Sequence, residues 1–453
     1  MSCKTACIGD VAAYRKTTVK PLEGTLYNCY SLPAFDNNRT PETLDGSAIL
    51  SSKLHVEKGD ILVNKLNMRF KRIWPLHSLK PNSICSTEFM PLVPNDSIDP
   101  RYLLYVLTSD RFTNRLSGMR TGTSGSHQRV KPEWILEYSF PLPDMIVQER
   151  IGSVLGTIDE KIALNNQLNG YLEEACDAIY SSFAVDNNFD SGILADLVEV
   201  KYGKDHKKLG AGDIPVYGSG GFMRSVNDWL YQGESVLIPR KGSLNNVMFV
   251  NEAFWTVDTM FYTVPTCPGA AKYVYQFIKR VNLASMNSGS AVPSMTTDIL
   301  NSIELPVPGV EQLTQFDSAL EPYYSAIRLN RTESSRLADL RDALLPKLMS
   351  GEIDVSKVDL TQLNSHLAQI RKLNADYRIC DVFPEPTIRR LYLISNLWRN
   401  ESCFLLVIAY LFDRLSSIFD KMTYFLSNIL DKMQSEYRAH EKAPSGYFRS
   451  GLR

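Results

Sequence analysis

Few residues have the types and spacing for catalysis. No GxxxxGK[ST] phosphate loop occurs, and the glycine cluster Tyr217 to Phe222 (YGSGGF) lacks the lysine and the spacing that cradle phosphates. The six histidines (His55, His77, His127, His206, His366 and His440) form no HExxH or other i, i+4 ligand pair. Eight cysteines are scattered without a CxxC, which indicates neither a zinc ribbon nor a disulfide framework. No Asp/Asn-Pro-Pro-aromatic tetrad, used to hold a flipped base during amino methylation, is found. One arrangement invites a nuclease reading: Asp186 followed by Glu199-Val200-Lys201 offers a carboxylate pair plus a lysine for metal-assisted hydrolysis. Against it, the matching position of an earlier, similar stretch is Ala13, and Asp186 lies in a polar linker.

Binding chemistry is better supplied. Residues 61 to 131 hold eleven Lys and Arg against four Asp and Glu. Within them, Asn64 to Arg72 (NKLNMRFKR) mixes Asn, Lys and Arg, side chains that pair with purine edges in the major groove and with phosphates. Farther on, Ile238 to Asn246 (IPRKGSLNN) sets Arg240 and Lys241 beside a glycine that lets backbone approach a ligand closely. Each basic loop is followed by a Gly/Ser-rich stretch, TGTSGSHQRV (Thr121 to Val130) and NSGSAVPSM (Asn287 to Met295), whose hydroxyls and N–H groups suit phosphate. A charge run is often only a solvated face. The recurrence of the same pair of loops favours a ligand.

That recurrence belongs to a long internal repeat. IGDVAAYRK (Ile8 to Lys16) returns as LADLVEVKY (Leu194 to Tyr202), and KGDILV (Lys58 to Val63) as QGESVLI (Gln232 to Ile238). FPLP (Phe140 to Pro143) returns as LPVP (Leu305 to Pro308). The first part of each copy, 1–144 and 190–309, is rich in short β-type runs such as DILVNKL and TMFYTVP, punctuated by Gly, Pro and Asn. Each reads as a mixed, mainly β domain. Apolar positions then change to steps of three and four: 151, 155, 158, 162, 172, 175 and 179, and again 316, 320, 323, 327, 337, 340 and 344. This heptad seam predicts helices over 145–183 and 310–350, with Asn165 and Asn330 at core positions that fix register. Pro322 predicts a kink or a late start in the second helix. Two helices of about 35 residues, roughly 50 Å long, would pack antiparallel and relate the two domains by a pseudo-twofold axis. The predicted fold class is α+β.

The chain has 453 residues, with 49 basic against 50 acidic side chains, which excludes a uniformly basic nucleic-acid coat but not a local basic face. The N-terminus lacks a secretory apolar region, and the longest apolar run, Cys403 to Phe412, is half of what a spanning helix needs. A cytoplasmic protein with no membrane attachment is expected.

With these elements in hand, the chain resembles the DNA specificity subunits of type I restriction-modification systems. The carrying residues are KGDILVNKLN, ICSTEF (Ile84 to Phe89), TGTSGSHQRV and FPLPDMIVQERIGSVLGTIDEKI, then IPVYGSGG, GESVLIPRKGSLNN, FWTVDTMFY (Phe254 to Tyr262) and LLPKLMSGEIDV (Leu344 to Val355). The resemblance implies two target recognition domains, each reading one half of a gapped, asymmetric site in double-stranded DNA. It implies that the helices set the gap and dock two adenine methyltransferase (modification) subunits. Restriction and translocase subunits would complete the complex, and S-adenosylmethionine, ATP and Mg would sit on those partners, with no cofactor on this non-catalytic chain. The DNA-facing residues it implies are Lys65, Asn67, Arg69, Arg72, Ser126, His127, Gln128 and Arg129 in the first copy. In the second they are Tyr217, Ser219, Arg240, Lys241, Ser243, Asn245 and Ser290. The alternatives are a single-chain nuclease built on Glu199 and Lys201, and a coiled-coil scaffold that binds only proteins.

The family pattern stops near the SGEIDV element, yet residues 359–453 follow. There Leu411, Leu415, Ile418, Met422, Phe425, Ile429 and Met433 recur at helical spacing, predicting a helical C-terminal extension that packs or self-associates.

Overall fold

The computed structural model describes residues 4–37, 39–119, 129–186, 189–286 and 294–355. Ser126, His127, Gln128, Ser290 and the extension 359–453 lie outside them. The described residues fall into two units, one within Met1–Ile162 and Ser335–Arg453, the other Ala163–Ser334. The division falls inside each of two long helices, Met145–Asp186 and Val310–Ser350. Both units mix antiparallel sheet with helix, an α+β fold.

In the first unit, strand Lys4–Cys7 pairs antiparallel with Ser139–Leu142. A four-stranded sheet follows in the order Ala12–Tyr14, Phe89–Pro94, Ile61–Asn64, Ile73–Pro75. Its two central strands, FMPLVP and ILVN, are buried over most or all of their length. A five-stranded sheet, in which Leu26–Tyr30 runs parallel to Ser83–Cys85, completes the unit. Helix Pro100–Thr108 starts where Asp99 caps the N–H groups of Arg101 and Tyr102 at 2.9 and 3.0 Å, with Pro100 supplying a helical φ.

The second unit repeats this plan. Asp190–Ile193 pairs with Glu304–Val307, and a six-stranded sheet runs Val198–Tyr202, Met260–Pro265, Tyr231–Pro239, Met248–Thr256, Ile214–Gly218, Gly221–Val226. Equivalent polar contacts recur. The Asp10 and Asp196 carboxylates each accept from a backbone N–H, of Cys7 and Ile193, at 2.8 Å. The Tyr102 and Tyr273 hydroxyls donate to the Pro141 and Pro306 carbonyls at 2.7 and 2.8 Å. Helix Ala270–Ile278 begins differently, at Gly269 with φ +81°, where a Cβ would lie 2.2 Å from the Leu313 carbonyl oxygen. Only glycine fits that approach.

The long helices pack within each unit. In the first, Ile151, Leu155 and Ile158 are buried in one cluster with Leu337, Leu344 and Leu348, and Arg341 Nη1 donates to Asp159 Oδ1 at 2.7 Å. In the second, Phe183 meets Phe316 at a ring separation of 4.6 Å, while Asn330 Nδ2 donates to Asn169 Oδ1 at 2.8 Å. Partners run backward along the second helix as they run forward along the first, so the pairing is antiparallel in both units. Two expectations need correction. Helix Val310–Ser350 starts twelve residues before Pro322, so there is no late start: proline removes a single ladder bond, and apolar residues on both sides still anchor the helix. Toward the end of the first helix the fully buried residues are Cys176 and Tyr180, with Ile179 only partly buried, as a helix of 3.6 residues per turn drifts from a strict heptad.

Candidate nucleic-acid interface

Lys65, Asn67, Arg69 and Arg72 lie on one tight loop after strand Ile61–Asn64. Asn64, fully buried, braces it from beneath by donating to the Leu66 and Phe70 carbonyls at 2.9 and 3.2 Å. Asn67 adopts φ +58°, a left-handed conformation that asparagine tolerates, and its carbonyl accepts from the Phe70 N–H at 3.0 Å. Phe70 is exposed, with the Arg69 and Arg72 guanidiniums both 5.0 Å from its ring centre.

The cations of this loop are already engaged. Arg72 donates through Nε and Nη2 to the two Asp36 carboxylate oxygens, both at 2.7 Å, a bidentate fork. Arg129 pairs with Glu88, and Lys71 with Asp110 at 2.6 Å. Lys65 is half-buried above the Tyr14 ring at 5.9 Å, and burial draws its ammonium below the ordinary pKa against the opposing pull of Glu88.

In the second unit Arg240, Lys241, Ser243 and Asn245 share the loop after Tyr231–Pro239. Arg240 stands over the Tyr202 ring at 5.5 Å and donates to the Asp258 carbonyl at 2.9 Å. Lys241 and Ser243 are exposed. Asn245 joins its loop to the following segment, donating to Asn282 Oδ1 at 3.2 Å and accepting from the Ala284 N–H at 3.0 Å. The Ser219 carbonyl accepts from Asn246 Nδ2 at 2.7 Å, which brings the YGSGGF turn against the same loop. Tyr217 donates to Glu252 Oε1 at 2.6 Å; burial first, and that acidic partner second, push its phenol up.

One bond recurs in both units. The Val130 N–H donates to the Lys65 carbonyl at 2.9 Å, and the Met295 N–H donates to the Arg240 carbonyl at 2.9 Å. Val130 and Met295 are buried and stand where each Gly/Ser-rich stretch ends. Flanking bridges join Leu66 to Arg129 and Lys241 to Ser294. The basic loop is therefore stapled to the end of the stretch that follows, twice, by the same geometry. Each staple also has an aromatic ring of the first sheet strand under its cation, Tyr14 beneath Lys65 and Tyr202 beneath Arg240.

Sequence reasoning missed the residues that hold these loops: Asn64, Asp36, Glu88, Tyr14, Tyr202 and Asn282. The repeated opening that carries Tyr14 and Tyr202 was the available signal for those two, and Asn64 opens the basic run it braces; Asp36, Glu88 and Asn282 are remote in sequence from what they hold. Glu199 and Lys201 sit two residues apart on one strand and pair with each other at 3.1 Å. Among the described residues, no group of three or more His, Cys, Asp and Glu is arranged to hold a metal ion. Among them also, no helix is long and apolar enough to cross a membrane.

The family model described as the type I restriction modification DNA specificity domain matches twice, over residues 2–174 and 188–338. The chain is 21% identical over 404 residues to the type I restriction enzyme HindI specificity subunit of Haemophilus influenzae, covering 67% of this chain and 88% of that one. It is 22% identical over 316 residues to the MjaIX specificity subunit of Methanocaldococcus jannaschii, covering 60% and 73%. Among solved structures, the type I S subunit from M. genitalium aligns at 16% identity and a TM-score of 0.48, over 77% of this chain and 96% of that one. The HsdS subunit from Thermoanaerobacter tengcongensis aligns at 16% identity and a TM-score of 0.34, over 78% and 97%.

Proposed function

The chain belongs to the type I restriction-modification DNA specificity family, and from that membership we propose how its two halves divide the work of recognition. Residues 1–144 and 190–309 act as two target recognition domains, each reading one half of a gapped, asymmetric DNA site. The long helices pair as an antiparallel coiled coil whose length sets the gap and whose outer faces dock two modification subunits. Base methylation, ATP-driven translocation and cleavage belong to the partners, which carry S-adenosylmethionine, ATP and Mg. The complex works in the cytoplasm.

The observation that supports this reading is the staple formed twice, Val130 to Lys65 and Met295 to Arg240. It joins a loop carrying cations and amide side chains to the end of a second segment in each unit, at Arg129 in the first and Ser294 in the second. Base edges are read by donors and acceptors held in register, while phosphate contacts fix orientation. A carboxylate-held arginine such as Arg72 is preset in direction and gives up little rotamer freedom on meeting a guanine edge.

Domain exchange tests the division of labour. Replacing residues 1–144 with the corresponding part of another family member should change one half of the methylated motif and leave the other half and the gap intact. Replacing 190–309 should change the other half. A change in both halves from either exchange would refute it.

A further inference from the structure

The basic stretch of the first unit contains two arginines that the loops above do not use. Arg111 and Arg115 are exposed and four residues apart on helix Asp110–Ser117. That spacing sets them on one helix face, roughly 5–6 Å apart at Cβ. Four other cations of the stretch have acidic partners: Lys71 with Asp110, Arg72 with Asp36, Arg101 with Asp99 and Arg129 with Glu88. Among the described residues, neither Arg111 nor Arg115 forms an ion pair. Both line an open cavity of about 290 Å³ with Trp134, Glu137 and Tyr138. Lys131 stands over the Trp134 ring at 5.5 Å.

We propose that Arg111 and Arg115 form a phosphate-backbone site that clamps duplex DNA beside the first recognition loop and contributes affinity without sequence information. The inference rests on the DNA-reading function proposed above. Three features favour DNA phosphates over an acidic protein surface. The i, i+4 step suits two adjacent anionic groups. In sequence the cavity's lining residues fall on both sides of the Gly/Ser-rich stretch that ends at the Lys65 staple, Met119 before it and Trp134 after it. Among the described residues of the second unit no unpaired couple matches it: segment Leu283–Met286 carries no cation, and Lys279 and Arg280 just before it both pair with Asp177. Among the described residues that line the cavity, Glu137 is the one acidic group, and it opposes a bound phosphate.

The test uses the full-length chain assembled with its modification subunits, titrated over a range of salt with two duplexes, one carrying the methylated motif and one scrambled. Removing one phosphate-binding cation should lower the slope of log K against log salt by about 0.9. Arg111→Gln with Arg115→Gln should reduce the slope by up to roughly twice that, weaken both duplexes alike and leave the methylated motif unchanged. Arg111→Lys with Arg115→Lys should keep the wild-type slope, which separates charge from misfolding. Glu137→Gln should tighten binding to both duplexes. An unchanged slope in the glutamine variant, failure of the modification subunits to co-purify with it, or an altered motif would each overturn the proposal. If wild type failed to discriminate between the duplexes while the slope still dropped, the sequence-reading function would fall and the phosphate site would stand.

Discussion

Arg72 and Arg240 show two ways of fixing a long cationic side chain, a carboxylate fork from Asp36 and an aromatic platform from Tyr202. The platform gives a direct prediction. A cation over an exposed ring contributes roughly 0.5–1 kcal/mol, so Tyr202→Leu should weaken duplex binding by the assembled complex about two- to fivefold. Tyr202→Phe, which gives up the 3.3 Å contact with Thr297 Oγ1, should retain most of the affinity in the same titration. Equal weakening in both variants would mean that the ring does not hold Arg240 for DNA. Buried thiols give a second prediction. Burial pushes Cys85 and Cys176 from 9.0 up to about 12, so both stay neutral in the folded chain where the unfolded chain would ionise. The stability this represents is complete below pH about 9 and is lost as pH climbs towards 12. Alkylation at pH 8.5 should reach Cys7 and Cys267 in the native protein, and Cys85 and Cys176 only in denaturant. The basic-plus-amide loops were legible in the sequence because their residues are contiguous. Asp36 and Glu88 were not, because sheet topology brings them in from 36 and 41 residues away.

At the scale of elements, the helices were legible and their polar core contacts only partly so. Two runs of apolar residues at steps of three and four, offset by 165, mark helices that the structure bounds at Met145–Asp186 and Val310–Ser350. Asn165 and Asn330 stood out as polar residues in an apolar seam. Their partners did not: Asn165 Nδ2 donates to Glu333 Oε2 at 2.8 Å and Ser334 Oγ at 3.2 Å, while Asn330 takes Asn169. Those partners depend on which turn of one helix faces which turn of the other, information that neither helix carries alone. Asn330→Ala would leave the Asn169 carbonyl oxygen buried without its donor. The expected cost is about 1–3 kcal/mol, read as a lowered urea midpoint with an unchanged slope. A midpoint equal to wild type would show that the buried pair contributes nothing to the packing of these turns.

For the whole molecule, a net charge of minus one conceals an uneven distribution. The first unit carries the basic stretch, much of it neutralised by neighbouring carboxylates, whereas residues 191 to 310 hold ten basic and ten acidic side chains. In a chain charged this way, attraction to DNA phosphates comes from a few placed cations rather than from overall charge. A mismatch at a contacted base pair should then cost about 1–3 kcal/mol. The most direct measurement is methylation-motif sequencing of DNA from cells expressing this chain with its modification subunits. The proposed pair of recognition domains predicts a single motif of two different specific halves separated by a fixed run of unspecified bases. A single ungapped palindrome would contradict it.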